Sequence, residues 1–280
     1  MMEKTLYQQH VEEAVAFLHE RIVEPPEVLI QLGTGLGELA RTMEHPVTIA
    51  YETIPHFPRS TVTSHAGNLV VGRLAGKRTA VLQGRFHYYE GYSAREVAFP
   101  IRVLSLLGVR TAIITNASGG LNPAFRPGTL MAFSDHINLL GDNPLRGPNV
   151  EAWGERFPDL SSPYDPQLRR LAHHCAERLG LDEVTSGTYV CIPGPSLETP
   201  AETRFLRLIG ADAVGMSSVP EILVALHGGL RVLGLSVVAN VNDPDNFQPI
   251  LLDDIIASAR RAEPRLQRLI LEILAELHHE

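Results

Sequence analysis

Short apolar runs recur along the chain, each bounded by glycine, proline or small polar residues, with helix-period segments between them. Val28–Ile30, Thr79–Leu82, Thr111–Thr115, residues 187–192 and Arg231–Ala239 read as buried strands. The last is apolar almost throughout, the mark of a strand covered on both faces. Leu69–Leu74 and Arg78–Leu82, joined through Gly76, form a hairpin-like pair. A helix is expected over residues 3–21, where Val11, Val15, Ala16 and Leu18 fall at helical spacing before Pro25 and Pro26. A second should run from the Ser93/Glu96 capping box to Leu107, with Gly108 ending it, and a third from Asp165 and Pro166 to Leu179. Two more capping boxes, Thr199/Glu202 with Pro200 between and Ser218/Glu221, predict further helix starts, the first running to about Leu208. The tail from Ile250 to His279 is helical, and Pro264 should kink or divide it. Strands alternating with helices predict an α/β fold. No repeat, linker or low-complexity tract interrupts the pattern, so residues 1–280 are expected to form one domain.

The chemistry collects where the strands end. After Leu82 comes Gln83-Gly84-Arg85-Phe86-His87-Tyr88-Tyr89-Glu90-Gly91-Tyr92. A permanently charged guanidinium fork and an imidazole at a strand's carboxyl end suit an oxyanion such as phosphate. The bland reading is an arginine paired with Glu90 and aromatics filling space. Gly33-Thr34-Gly35-Leu36-Gly37 follows another strand. Its backbone N–H groups and the Thr34 hydroxyl can crowd round an anion, although the spacing matches neither the dinucleotide fingerprint nor a Walker loop. Equally, the glycines can serve turn geometry alone. Asn116-Ala117-Ser118-Gly119-Gly120 is a third strand end of this kind. Ser217 lies near a helix start, where backbone donors favour an anion, and Met216 beside it is core filler or pocket lining. Glu198, just outside a helix, is a cap or an acceptor of ring N–H groups. Asn240, at the end of the last strand, both donates and accepts, which suits a purine edge. His65 either touches a ligand or caps a turn. The proline-rich stretch within residues 128–165, with Trp153 and Phe157, is long enough to expect a lid or a subunit contact.

Composition narrows the partners. With 24 basic and 32 acidic side chains the chain is net −8, which argues against a general nucleic-acid or anionic-membrane binder but leaves room for a local basic pocket. Cys175 and Cys191 are too few for a disulfide scaffold and lack metal-ligand spacing. The twelve histidines are scattered, so no metal is expected. Residues 1–21 are charged and helix-patterned, unlike a signal peptide, and no apolar run approaches membrane-spanning length. A reducing cytoplasm is the expected setting.

Several strings in order give the chain a wider likeness: GTGLG at 33–37, HAG at 65–67, QGRFHYYEGY at 83–92, TNASGGLNP at 115–123, DHINL at 135–139, NPLRGPN at 143–149, GERFPDL at 154–160, GTYVCIPGPSLET at 187–199 and GADAVGMSSVPE at 210–221. Over roughly residues 10–278 the chain resembles the trimeric purine nucleoside phosphorylase family, which also holds the methylthioadenosine and methylthioinosine phosphorylases. The resemblance implies a single α/β domain around a mixed, partly closed sheet flanked by helices, assembled as a homotrimer. It implies phosphate at Thr34, Arg85, His87, the Ala117 N–H and Ser217. Ribose would lie among His65, Tyr89 and Met216, with Phe157 reaching in from the neighbouring subunit. Glu198 and Asn240 would read the purine, with Leu197 beside them. The implied reaction is reversible phosphorolysis of 6-oxopurine nucleosides such as inosine and guanosine, with orthophosphate as co-substrate and no cofactor.

Three departures from the family pattern bear on substrate. Leu197 stands where many nucleoside-cleaving members have phenylalanine, and Ala239 where threonine is frequent before the base-reading asparagine. With Asp253-Asp254 matched to the acidic pair that opens the last helix, Leu252 takes the place of a histidine that binds the ribose 5′-hydroxyl. Leucine there suits a methylthio group, whereas Asn240 resembles the 6-oxopurine readers. A methylthioinosine or methylthioadenosine phosphorylase is therefore the nearest alternative, and a non-catalytic purine or sugar-phosphate binder the alternative of another class.

Overall fold

The computed structural model describes residues 4–33, 38–59, 66–181 and 184–278. A nine-stranded sheet runs through it. In chain order its strands are β1 (Val28–Gln31), β2 (Glu44–Ala50), β3 (Asn68–Leu74), β4 (Lys77–Gln83), β5 (Thr111–Gly120), β6 (Leu130–Asn138), β7 (Val184–Cys191), β8 (Ala213–Gly215) and β9 (Arg231–Val241). Their spatial order is β2-β3-β4-β1-β5-β8-β7-β6-β9, and β9 also pairs with β5. That extra pairing closes β5, β8, β7, β6 and β9 into a barrel-like ring, while β1 to β4 extend from it as an open wing. The sheet is mixed: β5 is parallel to β1 and β9, β9 is antiparallel to β6, and β3 forms antiparallel pairs with β2 and β4.

Period-two alternation divides the apolar side chains between two layers. Leu29, Leu82, Ala112 and Ile114 face the layer that contains α1 (Leu6–His19), α3 (Phe99–Ser105) and α6 (Val219–His227). Ile30, Val81 and Ile113 face the layer built from α4 (Pro166–Arg178) and α7 (Leu252–Glu276). Close backbone approach is paid for with glycine where the strands meet. A Cβ on Gly33 would lie 2.7 Å from the Asn116 Cα, and one on Gly120 2.8 Å from the Val238 Cγ1.

Several elements differ from the sequence expectation, each for a local reason. The helix that opens at Ser93 is two, α2 (Ala94–Val97) and α3, because Pro100 sits in the first turn of the second and has no N–H to continue the first. β5 does not stop at Thr115 but runs through the small residues to Gly120, where it pairs with Val214 and Ala213 of β8. The Ser218/Glu221 capping box does not form. Ser218 lies at φ 71°, not in the extended region that an N-cap needs, and Glu221 is engaged elsewhere. Pro264 does not divide the tail: α7 is continuous for 25 residues, held by Ala262 and Leu266 to Leu274 packed against β9 and α4. β2 carried no sequence signal. Its Pro46 falls where the register with β3 slips between Glu44 and Val47, the place an edge strand tolerates proline. The cap at Asp165 and the Thr199/Glu202 box of α5 (Pro200–Leu208) form as their spacing predicts.

Candidate active site

A cavity opens where the carboxyl ends of β5, β8 and β9 meet the turns after β4 and β7. Arg85, His87, Tyr89, Ala117, Leu197, Glu198, Met216, Ser217, Asn240 and Leu252 all line it. Thr34 and His65 lie outside the described residues. Phe157 does not line the cavity. It sits on the loop before α4 with 83% of its surface exposed.

One side of the cavity carries a guanidinium and an imidazole, both held rigidly. Arg85, only 2% exposed, gives Nε and Nη2 to the two carboxylate oxygens of Glu221, each at 3.1 Å, and Nη1 to the Thr115 carbonyl at 2.6 Å. The partner is thus Glu221 from α6, not Glu90. Glu90 instead accepts from the His87 backbone N–H at 2.8 Å and meets the His87 Nδ1 at 2.9 Å. That bond assigns the proton to Nδ1 and fixes the ring, which stacks on Tyr89 with centroids 4.6 Å apart. Burial and the nearby Glu90 push the Tyr89 hydroxyl up to about 12, against the pull of Arg85, so it stays protonated at neutral pH. Ser217 is buried next to Ser218. The Ser218 hydroxyl accepts from the Asn116 Nδ2 at 2.8 Å, and the Ser236 Oγ lies 2.6 Å from both the Asn116 Oδ1 and the Ser118 Oγ. This network pins β5 to β9 and to the start of α6 directly beneath the cavity.

The opposite side presents a carboxylate and amides. Glu198 is 8% exposed, and burial raises its pKa, with Glu202 adding to the rise and the Asn242 amide opposing it. The Asn242 Nδ2 donates to the Glu198 Oε2 at 3.4 Å, and the Asn240 Nδ2 donates to the Asn242 Oδ1. Leu252, with Ile250 and Ile255, gives the third wall an apolar face. Sequence reasoning did not single out Asn242, Glu221 or Asn116. Asn242 was within reach, since it stands two positions after Asn240 on an extended segment and so shares its face. Glu221 was hidden by its capping-box spacing. Among the described residues, no cluster of three or more His, Cys, Asp or Glu side chains is arranged to hold a metal ion, and no helix is long and apolar enough to cross a membrane.

Comparisons with known proteins point to one family. The family model described as "Phosphorylase superfamily" matches residues 27–275, and the chain belongs to that superfamily. Purine nucleoside phosphorylase 1 of Bacillus subtilis is 48% identical over 266 residues, covering 95% of this chain and 98% of the relative. The Rattus norvegicus purine nucleoside phosphorylase is 44% identical over 275 residues, covering 96% and 95%. A crystal structure of Schistosoma mansoni purine nucleoside phosphorylase in complex with inosine superposes with a TM-score of 0.92 at 40% identity, covering 97% of this chain and 98% of that one. Within the superfamily the chain belongs to the purine nucleoside phosphorylases, enzymes that move a pentosyl group from a purine to orthophosphate.

Proposed function

We propose that the cavity carries out reversible phosphorolysis of 6-oxopurine nucleosides, inosine and guanosine, with phosphate on the Arg85 side and the purine on the Glu198 side. The observation that carries this reading is the convergence of Arg85, His87, Ala117 and Ser217 with Glu198 and Asn240 around one cavity. Arg85, His87, the Ala117 N–H and Ser217, joined by Thr34, hold orthophosphate beneath C1′. Fixing it there turns a bimolecular encounter into an oriented one. A phosphate oxygen bonds to C1′ as the bond from C1′ to N9 breaks, and the electron pair passes to the purine. C1′ is cationic in between and faces the phosphate charge. The Asn240 amide donates to N7 of the departing base, and Glu198, ionised, accepts from N1–H. Donors already aimed at the developing charge lower the barrier without reorganising. His65, Tyr89 and Met216 flank the ribose. No side chain acts as nucleophile, and no metal or organic cofactor enters the reaction.

The exposed Phe157 supports a homotrimer in which this ring covers the ribose of the neighbouring site. The two buried free thiols, Cys175 and Cys191, fit a cytoplasmic setting. One observation favours a second reading. The apolar wall of Leu252, Ile250 and Ile255 offers a 5′-hydroxyl no side-chain partner and suits a methylthio group, as in methylthioinosine. Comparing kcat/KM for inosine, guanosine, methylthioinosine and methylthioadenosine at saturating phosphate decides between them. Inosine and guanosine are expected to lead. A methylthionucleoside far ahead of both would overturn the first reading, as would base release that does not depend on phosphate.

A further inference from the structure

Asn242 stands just past the end of β9 with 4% of its surface exposed, and its backbone is held on both sides. Its N–H donates to the Gly120 carbonyl at 2.9 Å, and its own carbonyl accepts from the Arg207 Nη2. The side chain therefore leaves a fixed backbone, and it bridges the two groups assigned to the purine. It donates from Nδ2 to Glu198 and accepts at Oδ1 from the Asn240 Nδ2. Both amides lie over Gly119: a Cβ built there would be 3.5 Å from the Asn242 Nδ2 and 3.7 Å from the Asn240 Oδ1.

The direction of this chain is set at one end. An ionised carboxylate only accepts, so the Asn242 amide must turn its NH₂ toward Glu198. Its carbonyl then faces Asn240, and Asn240 must answer with its own NH₂. One hydrogen of that NH₂ is committed to Asn242, while the second hydrogen and Oδ1 remain for a ligand. Ala239, the preceding residue, has no hydroxyl with which to hold the amide.

We propose that Asn242 is a positioning residue for the departing purine, acting through Asn240 by fixing the orientation of its amide and tying it to Glu198. Without the bridge the Asn240 amide rotates about its terminal torsion and offers N7 an oxygen as readily as an N–H. The inference rests on the phosphorolytic reading above and names a residue which that reading does not use.

The test compares two substrates. Inosine needs help at N7 as its base leaves. A nucleoside already methylated at N7, 7-methylinosine, carries a cationic base that departs neutral and needs none. Asn242→Leu, close in size, is expected to lower kcat/KM for inosine about tenfold or more, the scale of one lost hydrogen bond in a catalytic chain. The KM for phosphate should stay within about twofold, and the loss with 7-methylinosine should be under about threefold. Asn242→Ala serves as a second variant if the leucine destabilises the strand end, with the same selective loss expected. In an Asn240→Ala background the Asn242 change should add almost nothing, because the two act as one unit. Equal losses on both nucleosides, an unchanged inosine rate or full additivity with Asn240→Ala would overturn the proposal. Wild-type protein is assayed first: if it releases no hypoxanthine from inosine with phosphate, the phosphorolytic reading itself fails and takes this one with it. An active wild type with an indifferent Asn242 removes this inference alone.

Discussion

The buried Arg85–Glu221 ion pair offers the sharpest test of how the proposed phosphate side is held. Arg85 and Glu221 have side chains each 1% exposed, joined by two bonds of 3.1 Å, with the Thr115 carbonyl taking Nη1 at 2.6 Å. Glu221→Gln keeps the shape and removes the charge. It leaves a buried guanidinium facing one acceptor oxygen in place of two, and sets an NH₂ against its N–H groups. Breaking a buried pair from one side typically costs about 3–5 kcal/mol; with one hydrogen bond retained, about 2–4 kcal/mol is expected. For a chain of this length an unfolding entropy near 2 cal/mol/K per residue converts about 3 kcal/mol into a fall in Tm of roughly 5 °C. The same change loosens the guanidinium assigned above to the proposed phosphate site, so the KM for phosphate should rise about tenfold while the KM for inosine moves little. Added phosphate should recover part of the lost stability, because an anion binding the folded state supplies the missing partner charge. Calorimetry with and without phosphate, together with initial rates over a phosphate series, makes the measurement. A Tm within 1 °C of wild type and an unchanged phosphate KM would refute the idea that Glu221 holds Arg85 in place.

Four other outcomes are expected. Burial raises the Glu198 pKa, so the ionised form is lost at a higher pH than for an ordinary glutamate, and the acid limb of kcat/KM should lie above 4.5 and vanish in Glu198→Gln. The sign for stability follows: a raised carboxylate pKa costs stability as pH climbs from 4.5 through the raised value, so Glu198→Gln should gain on wild type across that window, and a constant difference would contradict the assignment. Asn240→Asp replaces a donor by an acceptor and should raise adenosine turnover relative to inosine; a flat ratio in competition assays would place base reading elsewhere. Leu252→His puts a donor on the apolar wall and should raise inosine over methylthioinosine severalfold in kcat/KM, whereas no change would show that Leu252 does not face the 5′ position.

What local sequence encodes was readable: apolar period marked most of the strands and helices, and the turns after them hold residues that line the cavity. Val28–Ile30 and Arg231–Ala239 become strands because short, mostly apolar runs cannot be left in water. Thr199, Pro200 and Glu202 start a helix because the side chains and the missing proline N–H settle that helix's first turn by themselves. The family strings likewise placed Arg85, His87, Glu198 and Asn240 at strand ends before any fold was known. Tertiary structure decided whatever depended on partners distant in sequence. Glu221 has the spacing of a cap, yet it meets Arg85 from 136 positions away, and a buried guanidinium needs a counter-charge more than a helix start needs a box. Pro264 has the chemistry of a breaker, yet the packed face of α7 on either side outweighs one lost backbone bond. Closure of β9 onto both β5 and β6 left no local trace, because pairing across the ring depends on register and twist. Without that closure Asn242 would be one more polar residue at a strand end, and with it the amide is caught between Glu198 and Asn240.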